Sequence, residues 1–261
     1  MAKIALIGGS GFDDPGILSD IRTLKIGTPY GHLSSDISLG KLGSTEVAVI
    51  NRHGKGHRIT PSTINNRANI WALKEIGVST IVATTACGSL REEIEPGHIV
   101  FPDQFIDWTK GRKNTFFEGD QVAHISMADP FCEKLRSTLI QVAEELKIIH
   151  HTNATVITIE GPRFSTRAES RMFRSLGADV VNMSTVPEVV LAREAGICYA
   201  SIAMSTDYDA WHVSEAPVTW EMIVQTMKSN VESVKRIFLN AVERIGMEEC
   251  ECRKAIESAL V

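Results

Sequence analysis

Two carboxylates, Asp207 and Asp209, stand two residues apart in "STDYDAW", directly after the apolar run "ICYASIAM". On an extended chain residues i and i+2 point to the same side. Both acids therefore project together from the C-terminal end of a buried strand, where open α/β sheets gather their ligands. Taken alone, the pair is better read as a solvated polar turn. Three further stretches offer anion chemistry. "LIGGSGFDDPG" follows an apolar run with glycines and the Ser10 hydroxyl, so free backbone N–H groups could cradle an anion. "NRHGKGHRITP" gathers Arg52, His53, Lys55, His57 and Arg58, of which Arg52 suits phosphate best through its planar fork. "ATTACGSLREEI" adds Thr84, Thr85 and a small-residue turn that lets backbone amides approach a ligand. Hydroxyls, amides and a guanidinium from three strand ends suit one inorganic phosphate.

Several other chemistries fit poorly. A dinucleotide fingerprint counted from Gly9 would put Asp14 where its last glycine belongs, and an acid there would repel a pyrophosphate. No Gly-Lys-Ser/Thr follows to make a Walker loop. His53 and His57 are four apart, but the glycines between them discourage the helix that a metal-binding pair would use. The five cysteines, at 87, 132, 198, 250 and 252, include no pair with zinc-ribbon spacing, so no metal is expected.

The elements that must position these groups are legible as patterns. Strand-like runs are "KIALIG", "EVAVIN", "TIVATT", "ATVITIE", "ADVVNM" and "ICYASIAM". Helical spacing appears in "STINNRANIWALKEIG", which stops at Gly77, and in "EKLRSTLIQVAEELK". In "STRAESRMFRSLG", Thr166 and Glu169 have the spacing of a capping box. A last long helix is expected from about Thr219 to about Ile245, followed by a tail with no clear partner. Alternating strands and helices predict an α/β fold with its chemistry in loops at strand ends. No repeat or linker divides the 261 residues, so we expect one domain over 1–245 and a tail over 246–261.

Composition narrows the class. A hydrophobic share of 43% with 23% charged residues is ordinary for a soluble chain, and no apolar run is long enough to span a membrane. The opening "MAKIALIGG" reads as a first strand and not as a secretory signal, so a cytoplasmic protein is expected. A formal charge of -5 argues against a broad nucleic-acid surface, while leaving room for a small basic pocket.

Along residues 4–245, "RHG", "TTACGSLREEI", "DQFID", "MADPFC", "EGPRFSTRAES", "PEVVLA" and "TDYD" follow one another in that order and resemble the trimer-forming purine nucleoside phosphorylases of the S-methyl-5'-thioadenosine phosphorylase branch. The resemblance implies a single nucleoside phosphorylase-like domain with a central mixed β-sheet flanked by helices. It also implies a pentosyltransferase that cleaves methylthioadenosine with phosphate, giving adenine and methylthioribose 1-phosphate. Phosphate is then a co-substrate, and no cofactor is needed. By correspondence Ser10, Arg52, His53, Thr85, the Ala86 N–H and Ser184 hold phosphate. Asn182 and Met183 lie along the ribose, Phe164 packs on the purine, and His124 reaches a neighbouring subunit's 5'-group in a homotrimer or a dimer of trimers. Asp207 binds N7 and supplies a proton, Asp209 accepts from the 6-amino group, and Ser165 and Trp220 tune specificity. Close alternatives are a phosphorylase that also takes adenosine, inosine or guanosine, and a hydrolytic nucleosidase; a non-catalytic nucleoside-binding protein is the alternative of another class. Cys-x-Cys tails in the branch further imply disulfides, one joining Cys250 and Cys252 and a second joining Cys132 and Cys198.

Overall fold

The computed structural model describes residues 4–8, 17–212, 220–245 and 250–261. Ser10 lies outside the described residues, as does the side chain of Trp220. The strands are β1 (Ile4–Gly8), β2 (Ser19–Leu24), β3 (Ile37–Leu42), β4 (Thr45–Asn51), β5 (Thr80–Ser89), β6 (Ile99–Val100), β7 (Gln104–Trp108), β8 (His150–His151), β9 (Thr155–Ile159), β10 (Val180–Asn182) and β11 (Cys198–Tyr208). The helices are α1 (Asn66–Glu75), α2 (Glu133–Glu145), α3 (Arg167–Ser175), α4 (Thr185–Glu194) and α5 (Trp220–Ala241).

All the strands join one mixed sheet, whose main path runs β2-β3-β4-β1-β5-β10-β9-β7. The apolar runs in β1, β5 and β11 are continuous because both faces are covered. Ile81 and Ala83 of β5 pack in one cluster with Ile70 and Leu73 of α1 and Val189 and Leu191 of α4. Val82, pointing the other way, joins Leu139 of α2 and Val234 and Phe238 of α5.

β5 is the hinge of the arrangement. Along one edge it pairs in parallel with β1, the last pair being Ile7 with Ala83, and then antiparallel with β10 at Gly88 and Ser89. Between those contacts no described strand pairs with residues 84–87 on that edge. The other edge pairs in parallel with β11 from Thr80 to Ser89. That long ladder carries β11 past the apolar run as far as Tyr208, with a bulge between Ser205 and Asp207. Asn230 of α5 donates to the Ser205 carbonyl at 2.9 Å and pins the bulge from the helix side.

Local signals set the helix starts. Thr166 accepts from the Glu169 N–H at 3.1 Å, and the Glu169 carboxylate accepts from the Thr166 N–H at 2.8 Å, a complete capping box. α1 begins later than its apolar spacing predicts because the Asn65 side chain caps it by accepting from the Ala68 N–H. α4 is buried on nearly all sides, so it shows no apolar stripe. The tail also differs from expectation, because it does have partners. Val261 and Val122 exchange backbone hydrogen bonds, the His124 N–H donates to the Ala259 carbonyl, and Cys252 and Ala259 are buried.

Candidate active site

The unpaired edge of β5 opens into a cavity of about 340 Å³, within the range that holds small-molecule ligands. Thr85, Ala86, Cys87 and Gly88 form one wall. Residues 85 to 88 span about 10 Å at strand rise. That length separates a hydroxyl-rich end from a carboxylate end.

At the hydroxyl end, the Thr85 and Ser184 hydroxyls lie 2.8 Å apart, and the Asn182 amide donates to Thr85 Oγ1 at 3.3 Å. Asn182 is itself held, accepting from Thr158 Oγ1 at 2.9 Å and donating to Thr185 Oγ1 at 2.7 Å. Arg52 borders the same space, yet its guanidinium is largely committed. Nε and Nη2 each donate to Glu188 at 2.8 Å, and Nη1 donates to the Thr84 carbonyl at 2.9 Å. Three of its five N–H donors are thus taken by described residues. Burial works against the Arg52 charge, but Glu188 outweighs it and holds the pKa above the ordinary guanidinium value. Tyr199 completes this buried group by donating to Glu188 at 2.7 Å.

His53 is half-buried, and its Nδ1 lies 2.9 Å from the Ile59 carbonyl. A carbonyl only accepts, so Nδ1 carries the proton. Burial, then the Arg52 charge, push the ring down to about 4. His53 is therefore neutral near pH 7, with Nε2 an acceptor.

At the far end Asp207 and Asp209 are both buried, at 7% and 5% exposure. Gly88 makes room for them, since a Cβ there would lie 3.2 Å from Asp207 Oδ2 and 3.2 Å from Asp209 Cβ. Burial raises the Asp207 carboxyl to about 6; the Thr206 hydroxyl, 2.6 Å from Oδ1, opposes the rise and the Asp209 charge adds to it. Burial also raises Asp209, against the nearby Ser170 and Ser165 hydroxyls. Asp209 Oδ2 and Ser165 Oγ are buried with no hydrogen bond to the described residues. The Ser165 hydroxyl stands beside Asp209, so the two can pair with each other or with a polar group that enters the cavity. Between the two ends the walls are apolar, from Ile159, Phe164, Val181 and Met183.

The structure thus brings together Arg52, His53, Thr85, Ala86, Phe164, Ser165, Asn182, Met183, Ser184, Asp207 and Asp209 around one cavity. His124 is not among its lining residues and is exposed. Two important residues escaped the sequence reading. Glu188 was signalled only as a lone acid within the apolar run "VPEVVLA", the mark of a buried charge that needs a partner. Arg112 had no signal. Its guanidinium donates to the carbonyls of Met183 and Val186 at 2.8 Å and of Glu160 at 2.7 Å, tying together the loops that carry the apolar wall.

Residues 3–243 match the family described as the phosphorylase superfamily. The chain belongs to that superfamily. Among curated members, the S-methyl-5'-thioadenosine phosphorylase of Hyperthermus butylicus is 53% identical, covering 100% of this chain and 96% of its own. The Danio rerio protein of the same name is also 53% identical, covering 93% and 89%. The solved structure of methylthioadenosine phosphorylase from Schistosoma mansoni in complex with adenine superposes with a TM-score of 0.95 at 41% identity, covering 99% of both chains. As a phosphorylase-superfamily member the chain is an enzyme of the pentosyltransferase type with a mixed-sheet α/β fold. Among the described residues no helix is long and apolar enough to cross a membrane.

Proposed function

We propose that the chain catalyses phosphorolysis of S-methyl-5'-thioadenosine to adenine and S-methyl-5-thioribose 1-phosphate. One observation carries the reading: a carboxyl raised to about 6 stands at one end of the cavity and a cluster of anion-binding groups at the other. The relatives' names, which specify this substrate, support it.

As the glycosidic bond breaks, electrons flow to the purine and the anomeric carbon becomes cationic. Asp207 donates its proton to N7, so adenine leaves as a neutral molecule. A free Asp holds too little proton for this near pH 7; burial corrects that. Asp209 accepts from the exocyclic 6-amino group, supplying a partner for its buried Oδ2. A 6-oxo purine would set two acceptors face to face, a mismatch that disfavours inosine and guanosine. Phosphate, held by Thr85, Ser184, the Ala86 N–H and the guanidinium of Arg52, stabilises the cationic carbon and then bonds to it. His53 Nε2 can accept the hydrogen of a P–OH group, which favours a phosphate that retains one proton. Ser10 is the remaining hydroxyl of this set. Phe164 and Met183 provide apolar surface for base and ribose.

The site is completed in a homotrimer, alone or paired as a hexamer, with His124 delivered to a neighbour's 5'-pocket and Trp220 shaping that pocket. The enzyme works in the cytoplasm without a cofactor. Adenine release from methylthioadenosine, measured with and without phosphate, tests the proposal. Release should require phosphate, and equal rates without it would identify a hydrolase.

A further inference from the structure

Four cysteines far apart in sequence meet at one point away from the cavity. Cys132 stands at the N-cap position of α2, Cys198 opens β11, and in the tail Cys250 precedes a single 3-10 turn that contains Cys252. Their four Sγ atoms all lie within 4.8 Å of one another, and Cys132 Sγ is 3.7 Å from Cys250 Sγ. All are free thiols. The structure thus forms neither of the disulfides implied by the resemblance, Cys250–Cys252 and Cys132–Cys198.

A buried cysteine commonly serves as a small hydrophobe, and that role explains one thiol in a core. It does not explain four converging on one another, nor their polar surroundings. Arg193 Nη1 lies 3.2 Å from Cys252 Sγ and places a positive charge beside the sulfur cluster. Cys132 sits at a helix N-terminus, where the partial positive charge favours thiolate.

We infer that Cys132, Cys198, Cys250 and Cys252 form a tetrahedral thiolate site for Zn²⁺ that fastens the C-terminal tail to the body. A tetrahedral zinc centre with metal–sulfur bonds of about 2.3 Å has sulfur–sulfur edges of about 3.8 Å. The Cys132–Cys250 separation of 3.7 Å already matches that edge, and no pair exceeds 4.8 Å. Each thiol gives up its proton as it binds, and the four thiolates leave the centre with two negative charges, partly offset by Arg193. Sequence spacing concealed the site because only Cys250 and Cys252 are neighbours in the chain. Four protein ligands close the coordination shell, so the metal is structural and does not touch substrate.

Metal content and spectroscopy of the whole enzyme test this without depending on catalysis. The protein, isolated under reducing conditions without chelator, should carry one zinc per chain. Replacement by Co²⁺ should give sulfur-to-cobalt charge-transfer absorption with the d–d bands of a tetrahedral centre. The double variant Cys250→Ser/Cys252→Ser should lose both signals while circular dichroism shows the body still folded. Removing zinc from the natural protein should speed tryptic cleavage after Arg253 and Lys254, which follow the site. Reduced natural protein that neither retains zinc nor gives the cobalt spectrum would overturn the inference. So would an intact mass, after alkylation at lysis, showing the cysteines joined as disulfides.

Discussion

At the scale of single residues, Asp207 stores a cost that the fold accepts for catalysis. Its carboxyl rises from 3.8 to about 6 on folding. The native state therefore binds its proton more tightly than the unfolded chain. This stability is fully present below about pH 3.8 and is lost as pH rises through about 6, a difference of about 3 kcal/mol at 1.36 kcal/mol per unit. Asp207→Asn keeps an acceptor for Thr206 but never carries a charge. In urea unfolding it should be more stable than the natural protein at about pH 8, by up to about 3 kcal/mol, and gain little at about pH 4. Its turnover on methylthioadenosine should fall by roughly 10²–10⁴, the usual worth of general acid catalysis. A variant equally active and no more stable at high pH would remove both claims. Asp209→Asn has a different expected outcome, because an amide can donate to a 6-oxo group. Relative kcat/KM for inosine over methylthioadenosine should increase in that variant alone.

Among the elements, the buried Arg52–Glu188–Tyr199 group couples the loop after β4 to α4 and β11. Breaking such a pair by removing one partner costs about 3–5 kcal/mol, since the other charge stays buried. Arg52→Ala should thus lower the unfolding midpoint sharply as well as weaken phosphate binding. Arg52→Lys retains the charge beside Glu188 and loses the fork. We expect it to keep more stability and to raise the KM for phosphate, a charge-assisted hydrogen bond being worth roughly 1.5–3 kcal/mol. An unchanged phosphate KM in the Lys variant would separate Arg52 from phosphate. Arg112→Ala strands several loop carbonyls in a half-buried setting. It should raise the KM for the nucleoside and cost on the order of 2–4 kcal/mol by thermal or urea unfolding, given hydrogen bonds to a charged donor.

For the whole molecule, the exposed His124 and the tail segment that bonds to its backbone bear on assembly. If His124 completes a neighbour's site, chains carrying His124→Ala and chains carrying Asp207→Asn should complement each other. Co-expressed, the two weak variants should form mixed trimers in which some sites have both residues, and activity should exceed the sum of the separate variants. Sedimentation should report a trimer or a multiple of it. A monomer, or strictly additive activity, would place the function of His124 within its own chain.

The chain's order of residues determined the parts that local physics can fix. Apolar runs specified β1, β4, β5, β9 and β11, and the Thr166–Glu169 capping box specified the start of α3. The i, i+2 spacing put Asp207 and Asp209 on one side. α4 was illegible because a helix buried all round has no stripe, and the short strands β6 and β8 are too brief to show a period. Only the tertiary structure decided which groups meet. It left residues 84–87 of β5 unpaired along one edge to make the cavity, joined Arg52 to Glu188 across 136 positions of sequence, and brought the tail cysteines to Cys132 and Cys198. The physical reason is burial. Removing charges and thiols from water changes their proton affinity and demands partners, and those partners come from distant segments that only the packed fold can bring together.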